Sequence, residues 1–354
     1  MGTFENRSAF AATVSAETAV TQPAKAVVRA KPTFRSRLIR FLEAYLFVGL
    51  LIAVVAFFSF WPETRDTFPT LANLRVVLGS NGPLALIALG ALIPLIANQW
   101  DLSVGAVAGL AAVIVATLFA YDAAIYTALP AALAAGLVIG LANASLVIRV
   151  GTTAVITTLG MAGVIEGMVI QITGGSSKVS NFPAAFEEFG SGVVAGIPIV
   201  FLVMIAIAGL VYWVLEHTPF GRYLYAYGSN PEAARLVGIN TTLVLASTFL
   251  IASLLSALGG ILLVARAGGA DPKLGAALTM SALAAAFLSA TSIKPRRFNV
   301  GGLLVAMFLL AFLNSGLNLA GAKPYVSLYV NGLALIVGVA LAATVGRQGG
   351  GRSR

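Results

Sequence analysis

Apolar residues gather in ten long runs, approximately 41–61, 82–98, 101–121, 128–148, 153–173, 197–216, 241–263, 277–293, 299–319 and 327–346, with short polar intervals between them. A helix needs about 20 apolar residues to cross the hydrocarbon of a bilayer, and shorter stretches serve inside a bundle. The pattern therefore predicts an all-α, polytopic membrane helical bundle of about ten transmembrane helices over 41–346, with tails at 1–40 and 347–354. The weakest boundary is Asn98-Gln99-Trp100-Asp101, a polar pause that leaves open whether run 82–98 crosses fully or is broken or re-entrant.

Small residues one turn apart, at Gly105 and Gly109, Gly136 and Gly140, and Gly163 and Gly167, let backbones approach without lipid between them. Together they predict a tightly packed bundle. Residues 82–173 and 241–346 each hold four runs and start an odd number of crossings apart, which is the arithmetic of an inverted repeat. No residue-level similarity accompanies it.

The longest polar interval in the second half, Glu216 to Asn240, carries its own small helix. Asn230 can cap it, Pro231 suits the first helical position, and Glu232 lies in the first turn favoured by the dipole. Ala233, Ala234, Arg235 and Leu236 favour helix, and Gly238 supplies the stop. One to two turns are too short to stand alone, so the helix needs a surface to lie against. Local chemistry fits an ordinary loop helix between two spans as well as one held by another protein.

With 59% hydrophobic and 10% charged residues, the chain cannot be a soluble globule. It has no cysteine and one histidine, His217, which removes disulfides, thiolate catalysis and nearly every zinc constellation. The net charge of +9 would suit a nucleic-acid binder, but the basic residues cluster beside apolar runs, the pattern of topology signals. With the N-terminus inside and ten crossings, sixteen Lys and Arg fall inside and six (Arg65, Arg75, Lys178, Arg266, Lys273 and Lys323) outside. That bias places the Asn230–Gly238 helix in the cytoplasm together with both termini. Met1 to about Ser36, rich in Ala, Thr, Ser and Pro, reads as a disordered basic cytoplasmic tail. A signal peptide is rejected, because run 41–61 is long enough to span and no small-residue cleavage site precedes Pro62.

Phe220-Gly221-Arg222, Tyr225-Ala226, Gly228-x-Asn230 and Ala233-Ala234-Arg235-Leu236-x-Gly238-Ile239 resemble the cytoplasmic loop of permease subunits in ribose-type sugar ABC importers, within the branched-chain/sugar permease superfamily. Asp101-Leu102-Ser103-Val104-Gly105-Ala106 looks like that family's Asp-Leu-Ser-x-Gly motif, which opens a helix after a break. Thr157-Thr158-Leu159-Gly160-Met161 looks like the start of its fifth span. Phe186-x-x-Phe189-Gly190, followed by Gly196-Ile197-Pro198, is similar to the outer segment entering the sixth. The resemblance covers about Phe41 to Val345. Two departures stand out: Lys294-Pro295-Arg296-Arg297-Phe298-Asn299 replaces the usual Gly-rich turn after Ile293, and Glu166 stands where a basic or neutral residue is more usual.

The resemblance implies a type II ABC importer-like permease in the bacterial plasma (inner) membrane, passing a monosaccharide or similar small polar solute. Asn230, Pro231, Glu232, Ala233, Ala234, Arg235, Leu236 and Gly238 would form the coupling helix seated in an ABC ATPase subunit. It further implies a second permease copy, identical or paralogous, and a periplasmic or lipoprotein sugar-binding protein at the outer face. No nucleic acid is among the expected partners. No cofactor is expected in this chain: a Gly-x-x-x-x-Gly-Lys-Ser/Thr loop is absent from the sequence, and Gly174-Gly175-Ser176-Ser177-Lys178 has the wrong spacing. ATP would be bound and hydrolysed by the partner subunit.

No pair of residues reads as catalytic, so an enzyme is not expected. Glu166 is the one acid deep in a span, and intramembrane carboxylates face a partner or water. Asn143, Thr157, Thr158, Asn314 and Asn318 are further polar groups in spans. All six could line a solute path, or equally bond neighbouring helices. The outer loop from Gly174 to Gly196 presents Phe182, Phe186 and Phe189 to a membrane surface, or Glu187 and Glu188 to a binding protein. Two alternatives stay open: an ion-coupled secondary carrier with Glu166 as the ion site, and an ABC permease for branched-chain amino acids or nucleosides.

Overall fold

A computed structural model describes residues 34–179 and 182–349. Most of the two tails expected at 1–40 and 347–354 lies outside the described residues. Of the unit Met1–Arg40, residues 34–40 are described, as helix; the bundle is the unit from Phe41 onward.

The helices in chain order are α1 (Phe34–Phe60), α2 (Leu71–Ile96), α3 (Val104–Ala120), α4 (Ile125–Ser145, extended by a π-helical turn to Val150) and α5 (Ala154–Thr173). After them come α6 (Ala184–Ser191), a two-residue hairpin of β1 (Val193–Val194) and β2 (Ile197–Pro198), α7 (Ile199–His217), α8 (Pro219–Ser229) and α9 (Pro231–Leu236). The chain continues through α10 (Thr241–Ala267), α11 (Leu274–Leu288, closed by a 3₁₀ turn to Thr291), α12 (Val300–Leu319) and α13 (Pro324–Gly349).

Each of the ten apolar runs coincides with an apolar helix. Among the described residues, seven of these are by length and composition apolar enough to cross a membrane: α2, α4 with its extension, α5, α7, α10, α12 and α13. Three are shorter, namely Ala44–Phe60 of α1, Val104–Ala120 and Ala277–Thr291. α3 is shortened by the polar break before it, and α11 by the tight turn that ends it.

Run 82–98 is not broken. It is the second part of a 26-residue helix starting at Leu71, where Thr70 Oγ1 accepts from Asn73 N at 3.2 Å. The break follows it, from Ala97 to Ser103, with Asn98 in the left-handed region at φ 55°.

α2 and α10 form the buried centre. Glycines set their spacing: a Cβ at Gly90 would lie 2.8 Å from the Ala252 carbonyl oxygen, and one at Gly259 2.9 Å from that of Pro83. Two of the three small-residue pairs behave as expected. Gly105 and Gly109 face Gly275 of α11, and Gly136 and Gly140 face α10 at Ala257 and Ser253. Gly163 and Gly167 do not, because α5 turns them, with Gly160, into open space.

α6 sits at the end of the bundle where α10 finishes, with Gly190 against the Ala265 carbonyl. Phe182 and Phe186 pack edge-on against Phe119, at centroid distances of 5.7 and 5.0 Å, instead of lying on a membrane surface. Glu187 and Glu188 remain exposed.

Candidate functional site

The opposite end of α7 and α10 carries α8 and α9. Pro219 opens α8 at the first helical position, and Gly221, Leu224 and Tyr227 supply a buried stripe. Gly221 lies against the Leu215 carbonyl and Gly228 against that of Ile96, so α8 rests closely on the ends of α7 and α2. The reading of the polar interval as one small helix leaves α8 out; the signal for it is the Thr218-Pro219 start and the spacing of Leu224 and Tyr227.

α9 follows after one extended residue, Asn230. Asn230 Oδ1 accepts from Ala233 N at 3.0 Å, Pro231 takes the first position, and Glu232 the first turn. Gly238, at φ 86°, is in the conformation that favours glycine. Ala234 alone of the six helical residues is buried, and Leu236 and Val237 are 85% and 77% exposed. Two large apolar side chains thus stand out from a helix whose other exposed groups include Glu232 and Arg235.

The six polar residues expected in spans do not form one cluster. Asn143 and Thr158 belong to a buried network at the α2–α3 break. Asp101 Oδ1 accepts from Ser103 N (2.9 Å) and Oγ (2.6 Å), and Asn143 Nδ2 donates to Ser103 Oγ at 3.0 Å. Thr158 Oγ1 accepts from Leu102 N at 2.9 Å and lies 2.8 Å from the Ala154 carbonyl. Asp101 itself is 1% exposed, so Glu166 is not the only acid placed among the apolar helices. Thr157 pairs with Thr152 at 2.6 Å. Asn314 Nδ2 donates to Asn331 Oδ1 at 3.3 Å, joining α12 to α13, while Asn318 is exposed. Glu166 is exposed on the open face of α5 and is not packed within this chain's bundle.

A second polar cluster was not foreseen. Glu216, the last acid of α7, lies between Lys294 and Arg297 at 2.8 and 3.3 Å. The Arg297 guanidinium covers the Tyr225 ring at 3.7 Å. Burial raises the Tyr225 hydroxyl above its ordinary pKa, against the pull of Arg297, so it remains protonated and a donor. Its signal in the sequence was the basic Lys294–Arg297 turn, but the acid that answers it is 78 positions earlier.

The sequence pattern of the branched-chain amino acid transport system / permease component family matches residues 73–339. The chain belongs to this family. It is 31% identical over 292 residues to the ribose import permease protein RbsC of Escherichia coli K12, covering 82% of this chain and 91% of that one. To RbsC of Bacillus subtilis 168 it is 33% identical over 299 residues, covering 83% and 91%. The galactose/methyl galactoside import permease protein MglC of Salmonella typhimurium LT2 is 32% identical over 317 residues, covering 84% and 92%. No solved structure matches the chain.

Proposed function

We propose that this family member is the transmembrane permease subunit of an ATP-binding cassette importer, forming the path for a monosaccharide or similar small polar solute. The sugar-import relatives support the solute class. The observation that carries the mechanism is α9: a capped helix too short to hold itself, presenting Leu236 and Val237 to solvent. An ATP-hydrolysing partner covers that face, and closure of two such partners displaces α8–α9. On this reading all ten apolar helices traverse the bilayer, α9 is cytoplasmic with both termini, and α6 faces a soluble binding protein.

The exposed face of α5 belongs to the same reading. A carboxylate such as Glu166 is costly against lipid, so it faces water or protein, and a second permease copy across a central path provides both. The chain itself performs no catalysis.

The test is reconstitution with the ATPase that copurifies with the chain. Glu232→Lys should leave folding and assembly intact while separating ATP hydrolysis from uptake. Normal uptake by assembled complexes carrying this change would overturn the coupling role of α9.

A further inference from the structure

The Glu216 side chain is 14% exposed and holds Lys294 on Oε2 and Arg297 on Oε1, whose own side chains are 41% and 37% exposed, so the carboxylate is the sheltered member of both pairs. Arg297 also stacks on Tyr225, whose hydroxyl donates to the Phe298 carbonyl at 2.7 Å. Four contacts therefore bind the α7–α8 corner to one turn of chain before α12.

That turn is stiff. Asn299 Nδ2 reaches the carbonyls of Ser289, Ser292 and Arg297 at 2.9, 3.0 and 2.9 Å, while its Oδ1 caps α12 by accepting from Gly302 N at 2.7 Å. Ile293 and Arg296 hold φ of 62° and 70°, which residues bearing side chains adopt only where their surroundings dictate it. Ile293 N donates to the Ala44 carbonyl at 2.8 Å, fastening the turn to α1 as well. A displacement of α8 would therefore reach the first turn of α12 without being lost in a slack loop.

We propose that Glu216, Tyr225, Lys294 and Arg297 form a latch carrying the movement of α8–α9 into α12, which makes them positioning residues for transport. The inference rests on α8–α9 being the lever. It goes beyond that reading in assigning a route, through the turn where this chain departs from its family resemblance.

The sequence contains no cysteine, so introduced labels are unique. Spin labels at Leu210→Cys on α7 and Leu319→Cys on α12, in the full chain assembled with its copurifying ATPase, report their separation with and without ATP and vanadate. Glu216→Lys, and separately Lys294→Glu with Arg297→Glu, should each shrink the ATP-driven change by roughly fivefold or more. Combining all three substitutions reverses the pairing and should restore at least half of it, which a merely structural role would not require. If Glu216→Lys does not assemble, Glu216→Gln takes its place. An unchanged response in the charge variants, or no recovery in the reversed set, overturns the latch. A third label at Val237→Cys separates the two ideas: if it ignores ATP in the otherwise unaltered complex, the lever reading has failed.

Discussion

Tyr225 donates its hydroxyl to the carbonyl of Phe298, 73 positions further along the chain, at 2.7 Å. The bond joins the middle of α8 to the residue before the cap of α12. Trp100 and Phe298 also both pack edge-on against Phe287, at centroid distances of 5.0 and 6.2 Å. The α2–α3 break, the end of α11 and the start of α12 therefore share one aromatic contact chain beneath α8.

Gly228 and Gly163 make a contrasting pair. A side chain at Gly228 would collide with the Ile96 carbonyl, so Gly228→Val should destabilise the chain by about 1–3 kcal/mol, seen as a lower thermal midpoint in detergent. Gly163 faces open space, and Gly163→Ala should change stability by less than about 0.5 kcal/mol. If α5 faces a second copy, the same Gly163→Ala should instead weaken dimers, measurable by crosslinking in vesicles.

Asn299 gathers the Ser289–Arg297 turn and caps α12. Asn299→Ala should cost about 1–3 kcal/mol through its buried unpaired carbonyls and lost cap. Hydrogen exchange at Gly302 and Leu303 should rise before that of the α12 centre, and uniform exchange along α12 would refute the assignment.

Leu236→Asp and Val237→Asp alter side chains that touch little of this chain, so the thermal midpoint should stay within the range of ordinary surface changes, about 0.5 kcal/mol. Copurification of the ATPase should fall by at least roughly tenfold, the factor that 1.4 kcal/mol of interface energy represents. Undiminished capture would show that another surface binds it.

Glu166→Gln separates the importer from a secondary carrier. The importer reading expects uptake that still requires ATP and the ATPase. Uptake by the chain alone, independent of ATP and abolished by Glu166→Gln, would establish the carrier instead.

The alkaline limb of stability should carry the mark of two phenols. Tyr225 and Tyr227 both have hydroxyl pKa values raised above the ordinary 10.0, in each case chiefly by burial. The folded state therefore keeps their protons longer than the unfolded one. Their contribution is complete below pH 10 and is lost as pH rises through the folded-state values. The unfolding free energy between pH 9 and 12 should fall less steeply in Tyr225→Phe with Tyr227→Phe than in the unaltered chain, and identical slopes would refute the shift.

Local chemistry explains what could be read from residue order. The α9 helix was legible because Asn230, Pro231, Glu232 and Gly238 act within a few residues of one another. The break at Asn98–Asp101 was legible as polarity, but not the start of α2 at Leu71, since Asn73, Arg75 and Asn81 dilute its first turns. α8 escaped because its apolar face is narrow and completed by Ile96 and Phe298 from elsewhere. Gly163 and Gly167 looked like a packing face, yet spacing alone does not say whether another helix of the same chain stands opposite. Glu216 needed Lys294 and Arg297 brought beside it by the closure of the whole bundle.

The bare tip at Leu236 and Val237 also bears on how cells must produce this protein. On the importer reading, a copy synthesised in surplus over its covering ATPase would carry a sticky end into the crowded, protease-rich cytoplasm. Matched synthesis of the two would then be a condition of survival for the polypeptide, independent of any demand for solute.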